Sequence, residues 1–127
     1  MSLSQLSRSI EGSVAIVTGA ASGMGRATAM LFADQGAKVA ALDVKEDPLK
    51  AVVGEIEAAG RDVRGWTVDL SDADAIDRAF AEIAGHFGGI DILVNNAGIS
   101  IFTPIDGDDF EAAWDLSLAV LLTAHTR

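Results

Sequence analysis

The chain has 127 residues, half of them hydrophobic, with only 2 prolines and a formal net charge of −10. That is one domain, long enough to bury a core and too apolar to stay disordered. The acidic balance, with no basic stripe, argues against nucleic acid and anionic membrane surfaces as partners.

Taken in chain order, Met1 to Arg8 is polar and serine-rich and lacks the apolar stretch of a secretory leader. Residues 1–12 are expected to be a flexible N-terminal segment. Residues 13–127 are expected to form one domain, with the sequence ending inside its fourth helix. Ser13 to Thr18 reads as the first strand. Met24 to Gln35 reads as the first helix, stopped by Gly36. Lys38 to Leu42 is the second strand. Asp47-Pro48 has the form of an N-cap followed by proline at the first helical position, opening a second helix that runs to Ala59 and stops at Gly60. In it Val53 and Ile56 lie on an apolar stripe with a charged back.

Val63 to Val68 reads as the third strand. Ser71-Asp72-Ala73-Asp74 has capping-box spacing, with aspartate in place of the usual glutamate. The third helix then carries Ile76, Ala79, Phe80 and Ile83 at helical spacing and ends near Gly88-Gly89. Ile90 to Val94 is the fourth strand, Asn95 to Gly107 a loop, and Asp108 to Arg127 the fourth helix. Trp114, Leu118, Leu121 and Leu122 read as a stripe on that helix facing the sheet. The histidines, His86 and His125, stand alone as helix-end or helix-surface residues. With no cysteine, there is no disulfide framework or thiolate metal site, and no metal is expected. No apolar run reaches the roughly 18 residues of a membrane span, so the expected location is the cytoplasm.

Strands alternating with helices imply βαβ units and a parallel sheet. Right-handed crossovers put helices on both faces, and the strands are apolar throughout, as doubly covered strands should be. The expected fold is α/β, a doubly wound parallel sheet of Rossmann type. Its strand order is 3-2-1-4, with a ligand crevice where the order reverses.

The stretch Thr18-Gly19-Ala20-Ala21-Ser22-Gly23-Met24-Gly25 sits between the first strand and first helix. A helix start presents unpaired N–H groups and the positive end of its dipole, which suit a phosphate. Glycine there lets the backbone turn tightly and approach a pyrophosphate. Asp43 follows 18 residues after Gly25, close to the spacing at which an acid binds the adenosine ribose hydroxyls.

Together with Asp69-Leu70 and Asn95-Asn96-Ala97-Gly98, these residues resemble the short-chain dehydrogenase/reductase family, from about Gly12 to about Thr123. The resemblance implies an extended Rossmann fold that binds NAD or NADP. It also implies hydride transfer between the nicotinamide and an alcohol or carbonyl carbon, with a secondary alcohol or a ketone (3-oxoacyl or steroid-like) as substrate. Carried onto this chain, Gly19, Ser22, Gly23, Met24 and Gly25 would hold the pyrophosphate. Asp43, with Val44 beside it, would meet the adenosine ribose. Asp69 and the Leu70 backbone would meet the adenine edge. Asn96, Ala97 and Gly98 would line the ribose side, and Asn95 would pin the fourth strand to its neighbours. A carboxylate at Asp43 accepts two hydroxyls of NAD but repels the 2′-phosphate of NADP. Neither Ser22 nor Val44 is basic, so NAD is the expected cofactor and NADP the lesser one, with Lys45 and Arg26 the nearby cations.

The family's chemistry uses a serine after the fifth strand and a tyrosine–lysine pair, four apart, on the next helix. This chain has no tyrosine, so it is expected to bind cofactor and to be inactive alone. It also has Leu121 where the family commonly places an asparagine. A fourth strand left at the sheet edge invites pairing, so a homo-oligomer is expected, or else more protein than this sequence shows. The rival reading is a non-enzymatic NAD-sensing or assembly module.

Overall fold

The computed structural model describes residues 8–101 and 103–126. The chain alternates strand and helix: β1 (Val14–Thr18), α1 (Gly23–Asp34), β2 (Lys38–Asp43), α2 (Glu46–Ala58), β3 (Val63–Thr67), α3 (Ala73–Phe87), β4 (Ile92–Val94) and α4 (Phe110–Leu121), followed by a 3₁₀ turn, Thr123–Thr126. The four strands are parallel in the order β3-β2-β1-β4, as expected. In register, Val17 faces Val94, Thr18 faces Leu42 and Asp43 faces Thr67. All four strands therefore end on one rim, and every βα loop begins there.

Alternation of side chains along β1 and β2 splits the core in two. On one face Val17, Val39 and Ala41 pack with Ala29 and Ala33 of α1 and Leu49, Val52 and Ile56 of α2. On the other, Val14, Ile16, Ala40 and Leu42 pack with Ile76, Ala79 and Ile83 of α3. Both faces of the central strands are thus covered, which is why β1 is buried along its whole length. Before β1, Ile10 packs against the α1–α2 side, and the Gly12 amide donates to the Gly36 carbonyl at 2.9 Å. Residues 1–7 of the N-terminal segment, and Arg127 of the fourth helix, lie outside the described residues.

Several boundaries differ from the sequence expectation, each for a local reason. Helix α2 starts at Glu46 with Lys45 as N-cap, not with Asp47. The Lys45 amide is held by the Asp43 carboxylate at 2.9 Å, so the chain enters the helix earlier. Pro48 then falls inside the first turn, where its missing N–H costs nothing. Helix α3 is capped by Asp72, whose carboxylate accepts the Ala75 amide. Ser71 does not cap because its amide and hydroxyl both turn back to Asp69. Strand β4 begins at Ile92, although Asp91 already brackets Val14: its amide donates to the Val14 carbonyl and its carboxylate accepts the Val14 amide, both at 2.9 Å.

The fourth helix is shorter than expected. It ends at Leu121 and tightens into the 3₁₀ turn, where the Thr126 hydroxyl donates to the Thr123 carbonyl at 2.8 Å. Its leucines and tryptophan do not form a buried stripe: Trp114 is 56% and Leu122 61% exposed, and only Val120 is buried. Among the described residues β4, a three-residue strand, is the last strand on that side of the sheet.

Candidate functional site

The turn between β1 and α1 owes its shape to three glycines. Gly19 and Gly23 adopt φ values of +66° and +58°, a region that side chains disfavour. Gly25 has a different reason: a Cβ there would overlap the Gly19 carbonyl and crowd Asn96. A Cβ on Gly19 would lie 2.9 Å from the Ala97 backbone. The turn is therefore packed against the loop after β4, while a Cβ at Gly23 would meet nothing.

Helix α1 starts behind this turn with Ser22 as N-cap. The Ser22 side chain makes no capping hydrogen bond, and the first turn holds no acidic residue. The amides of Gly23, Met24 and Gly25 precede the first helical bond, Arg26 to Ser22, so the positive helix end has no anion of its own. Met24 stands 79% exposed over it. These features fit a phosphate at the turn.

At the end of β2 the Asp43 carboxylate accepts the Ala21 amide at 3.1 Å and the Lys45 amide at 2.9 Å, one on each oxygen. The Asp43 carbonyl accepts the Val68 amide at 3.0 Å. A carboxylate has about four acceptor sites, so both oxygens keep capacity toward a ligand's hydroxyls. Val44, beside it, is exposed. Of the two nearby cations, Arg26 is tied to Glu55 of α2 at 2.6 Å, whereas Lys45 lines the groove.

After β3, Asp69 accepts the Ser71 hydroxyl at 2.7 Å and the Ser71 amide at 2.9 Å on one oxygen. The hydroxyl bond first, then the amide bond, hold its carboxyl below the ordinary aspartate range. After β4, the Asn96 side chain donates to the carbonyls of Thr18 and Gly19 at 3.2 and 3.4 Å. Asn96, not Asn95, pins this strand end to its neighbour. Asn95 is exposed.

A groove of about 670 Å³ runs along this rim. Gly19, Ser22, Asp43, Val44, Asp69, Leu70, Asn96, Ala97 and Gly98 all line it. Gly23, Met24 and Gly25 do not line it; they form the adjoining helix start. The other side of the groove is closed by Ile99, Ser100, Ile101, Leu116 and Val120. Thr18 is a further residue that the motifs leave without a role, a buried polar side chain whose hydroxyl joins β1 to the β4 end. A hydroxyl at the last position of a wholly apolar strand is the signal that could have found it. Leu121 lies against Gly98, its methyl 3.4 Å from where a Cβ on that glycine would stand.

A parallel α/β sheet with a glycine-rich first turn, an acid ending β2 and a crevice beside β1 and β4 defines the doubly wound nucleotide-binding class. Residues 13–127 match the family model for the short chain dehydrogenase, and this chain belongs to that family. It is 38% identical over 114 residues to the D-threitol dehydrogenase of Mycolicibacterium smegmatis, covering 90% of this chain and 44% of that protein. It is 37% identical over 112 residues to the 3-oxoacyl-acyl-carrier-protein reductase FabG of Thermotoga maritima, covering 86% of this chain and 46% of that protein. A metagenomic short-chain oxidoreductase crystallised with NADP superposes with a TM-score of 0.85 at 39% identity, over 91% of this chain and 52% of that one. The chain thus spans about half the length of these relatives.

Proposed function

We propose that this chain supplies the cofactor-binding half of an NAD-dependent short-chain dehydrogenase/reductase that interconverts a secondary alcohol and a ketone, of 3-oxoacyl or steroid-like type. The amides of Gly23, Met24 and Gly25, with Gly19 and Ser22, hold the pyrophosphate. Asp43 takes the adenosine ribose hydroxyls beside Val44, Asp69 and Leu70 face the adenine, and Asn96, Ala97 and Gly98 line the nicotinamide-side ribose. Bound nicotinamide supplies the hydride acceptor or donor, and the chain's residues position it and exclude a wrongly charged cofactor.

The observation that carries this reading is the Asp43 carboxylate, set in one groove with the glycine turn, while of the two nearby cations Arg26 is tied to Glu55 and Lys45 lines the groove. Two negative charges of a 2′-phosphate beside it would cost several kcal/mol without an arginine clamp. The reading is therefore NAD over NADP, even though a structural relative was crystallised with NADP.

Calorimetry of the 127-residue chain with NAD and NADP tests it. NAD should bind at least about tenfold more tightly than NADP, and equal or reversed affinities defeat the assignment. With no tyrosine in the chain, NADH should not be consumed with any ketone. Turnover by material of verified mass would refute that point. The glycine turn and Asp43 would serve a second reading equally, a non-enzymatic NAD-sensing module; binding without turnover in the longest natural product of the gene would select it.

We also propose self-association through β4, which is the edge of the sheet among the described residues and whose Leu93 is 43% exposed. Sedimentation should show a dimer or larger species that Leu93→Lys reduces to monomer; a monomeric parent chain would exclude it.

A further inference from the structure

We propose that Asp43 is also the positioning residue of the glycine turn, so that one carboxylate reads the sugar and sets the place of the phosphate. The inference rests on the nucleotide reading above and deepens it. Two consecutive amides of the turn are fastened to the end of β2: Ala20 donates to the Leu42 carbonyl at 3.0 Å, and Ala21 to the Asp43 carboxylate at 3.1 Å. The other carboxylate oxygen holds Lys45, where α2 begins, and the Asp43 carbonyl holds Val68 at the end of β3. Asp43 therefore joins the loops after three neighbouring strands.

The turn needs such an anchor. Gly19 and Gly23, at positive φ, bring the largest backbone freedom of any residue to the segment. Thr18 and Asn96 fix its first end through the Thr18 and Gly19 carbonyls. Between Ala20 and the α1 helix, the Ala21–Asp43 bond is the remaining fastening to the sheet among the described residues. That bond also decides which amides face an anion. Ala21 is turned to a carboxylate, which leaves Gly23, Met24 and Gly25 at the helix start. Loss of the Asp43 carboxylate should therefore weaken the grip on the phosphates even of a nucleotide that has no ribose hydroxyls to offer.

The test titrates the chain, Asp43→Ala and Asp43→Asn with ADP and with 2′,3′-dideoxy-ADP by calorimetry, and follows exchange of the Ala21 amide. Wild type should bind both, the dideoxy compound more weakly. Asp43→Ala should weaken dideoxy-ADP binding about tenfold and speed Ala21 exchange by a similar factor, as loss of one charge-assisted hydrogen bond implies. The β1 amides should be unchanged. Asp43→Asn keeps one acceptor oxygen and should recover part of both effects. That comparison decides the matter if the alanine variant does not fold. Dideoxy-ADP affinity and Ala21 exchange that are the same in wild type and Asp43→Asn and Asp43→Ala would make Asp43 a sugar ligand only, leaving the nucleotide site intact. Failure of wild type to bind either nucleotide would remove the site and this role together.

Discussion

Thr18 and Asn96 hold each other at both ends. The Thr18 hydroxyl accepts the Asn96 amide at 3.0 Å, and the Asn96 side chain donates back to the Thr18 carbonyl at 3.2 Å. The same hydroxyl accepts the Ala97 amide and donates to the Val94 carbonyl. A single buried oxygen thus satisfies the backbone where β4 leaves the sheet, and it fixes the groove wall opposite Asp43.

Replacing that oxygen is the first prediction. Thr18→Val keeps the shape but strands two amides, and should cost about 2 kcal/mol or more. Thr18→Ser keeps the hydroxyl and should lose only about 1 kcal/mol for the missing methyl. Urea unfolding of the two variants orders them; equal midpoints would contradict the role assigned to the hydroxyl.

Glycines of this chain should divide by their surroundings. At Gly25 a Cβ has no room against the Gly19 carbonyl, so Gly25→Ala should shift the turn, destabilise the chain and abolish dinucleotide binding. At Gly54, inside α2, a Cβ would meet nothing within 4 Å, so Gly54→Ala should stabilise by up to about 1 kcal/mol through helix propensity. Thermal melts with and without NAD separate the two effects.

Cofactor preference should move with one exposed position. Val44 stands in the groove next to Asp43 and is 57% exposed, so an arginine there can reach a 2′-phosphate without displacing the core. Val44→Arg should raise NADP affinity about tenfold or more while leaving NAD within a few-fold. No gain for NADP in competition binding would place the 2′-position elsewhere.

Acid sensitivity follows from Asp69. Its carboxyl sits below the ordinary value of 3.8 because Ser71 donates its hydroxyl and amide to it. A carboxylate whose folded value is lowered stabilises the fold above its unfolded value, and that contribution fades as pH falls through the folded value. Ser71→Ala removes the larger of the two donors, so the Asp69 titration should move upward toward 3.8. Carbon-detected NMR titration of the two proteins measures it; an unmoved Asp69 would mean that the serine hydroxyl does not hold it.

Much of the fold is legible in residue order. Apolar runs of strand length, helical periods and the stop glycines Gly36 and Gly60 place four strands and four helices in the observed succession, because these signals act within a few residues. The starts of α2 and α3 escape such signals for one reason. Asp43 and Asp69 each draw in a later backbone amide, and neither contact can be known before the strand ends are set. The choice between Asn95 and Asn96 is similarly hidden. Only the register of β4 against β1, with Val94 beside Val17, brings Asn96 to the Thr18 and Gly19 carbonyls.

By itself the amino-acid order determined the class of sheet, the glycine turn and the acid 18 residues beyond it, since local sterics and hydrophobic period are enough to specify them. Tertiary structure alone decided that Thr18, Asp43 and Asn96 meet on one rim and that Arg26 is drawn off to Glu55. Those outcomes depend on which strand lies beside which and at what register, and contacts between residues more than 20 apart in the chain settle them.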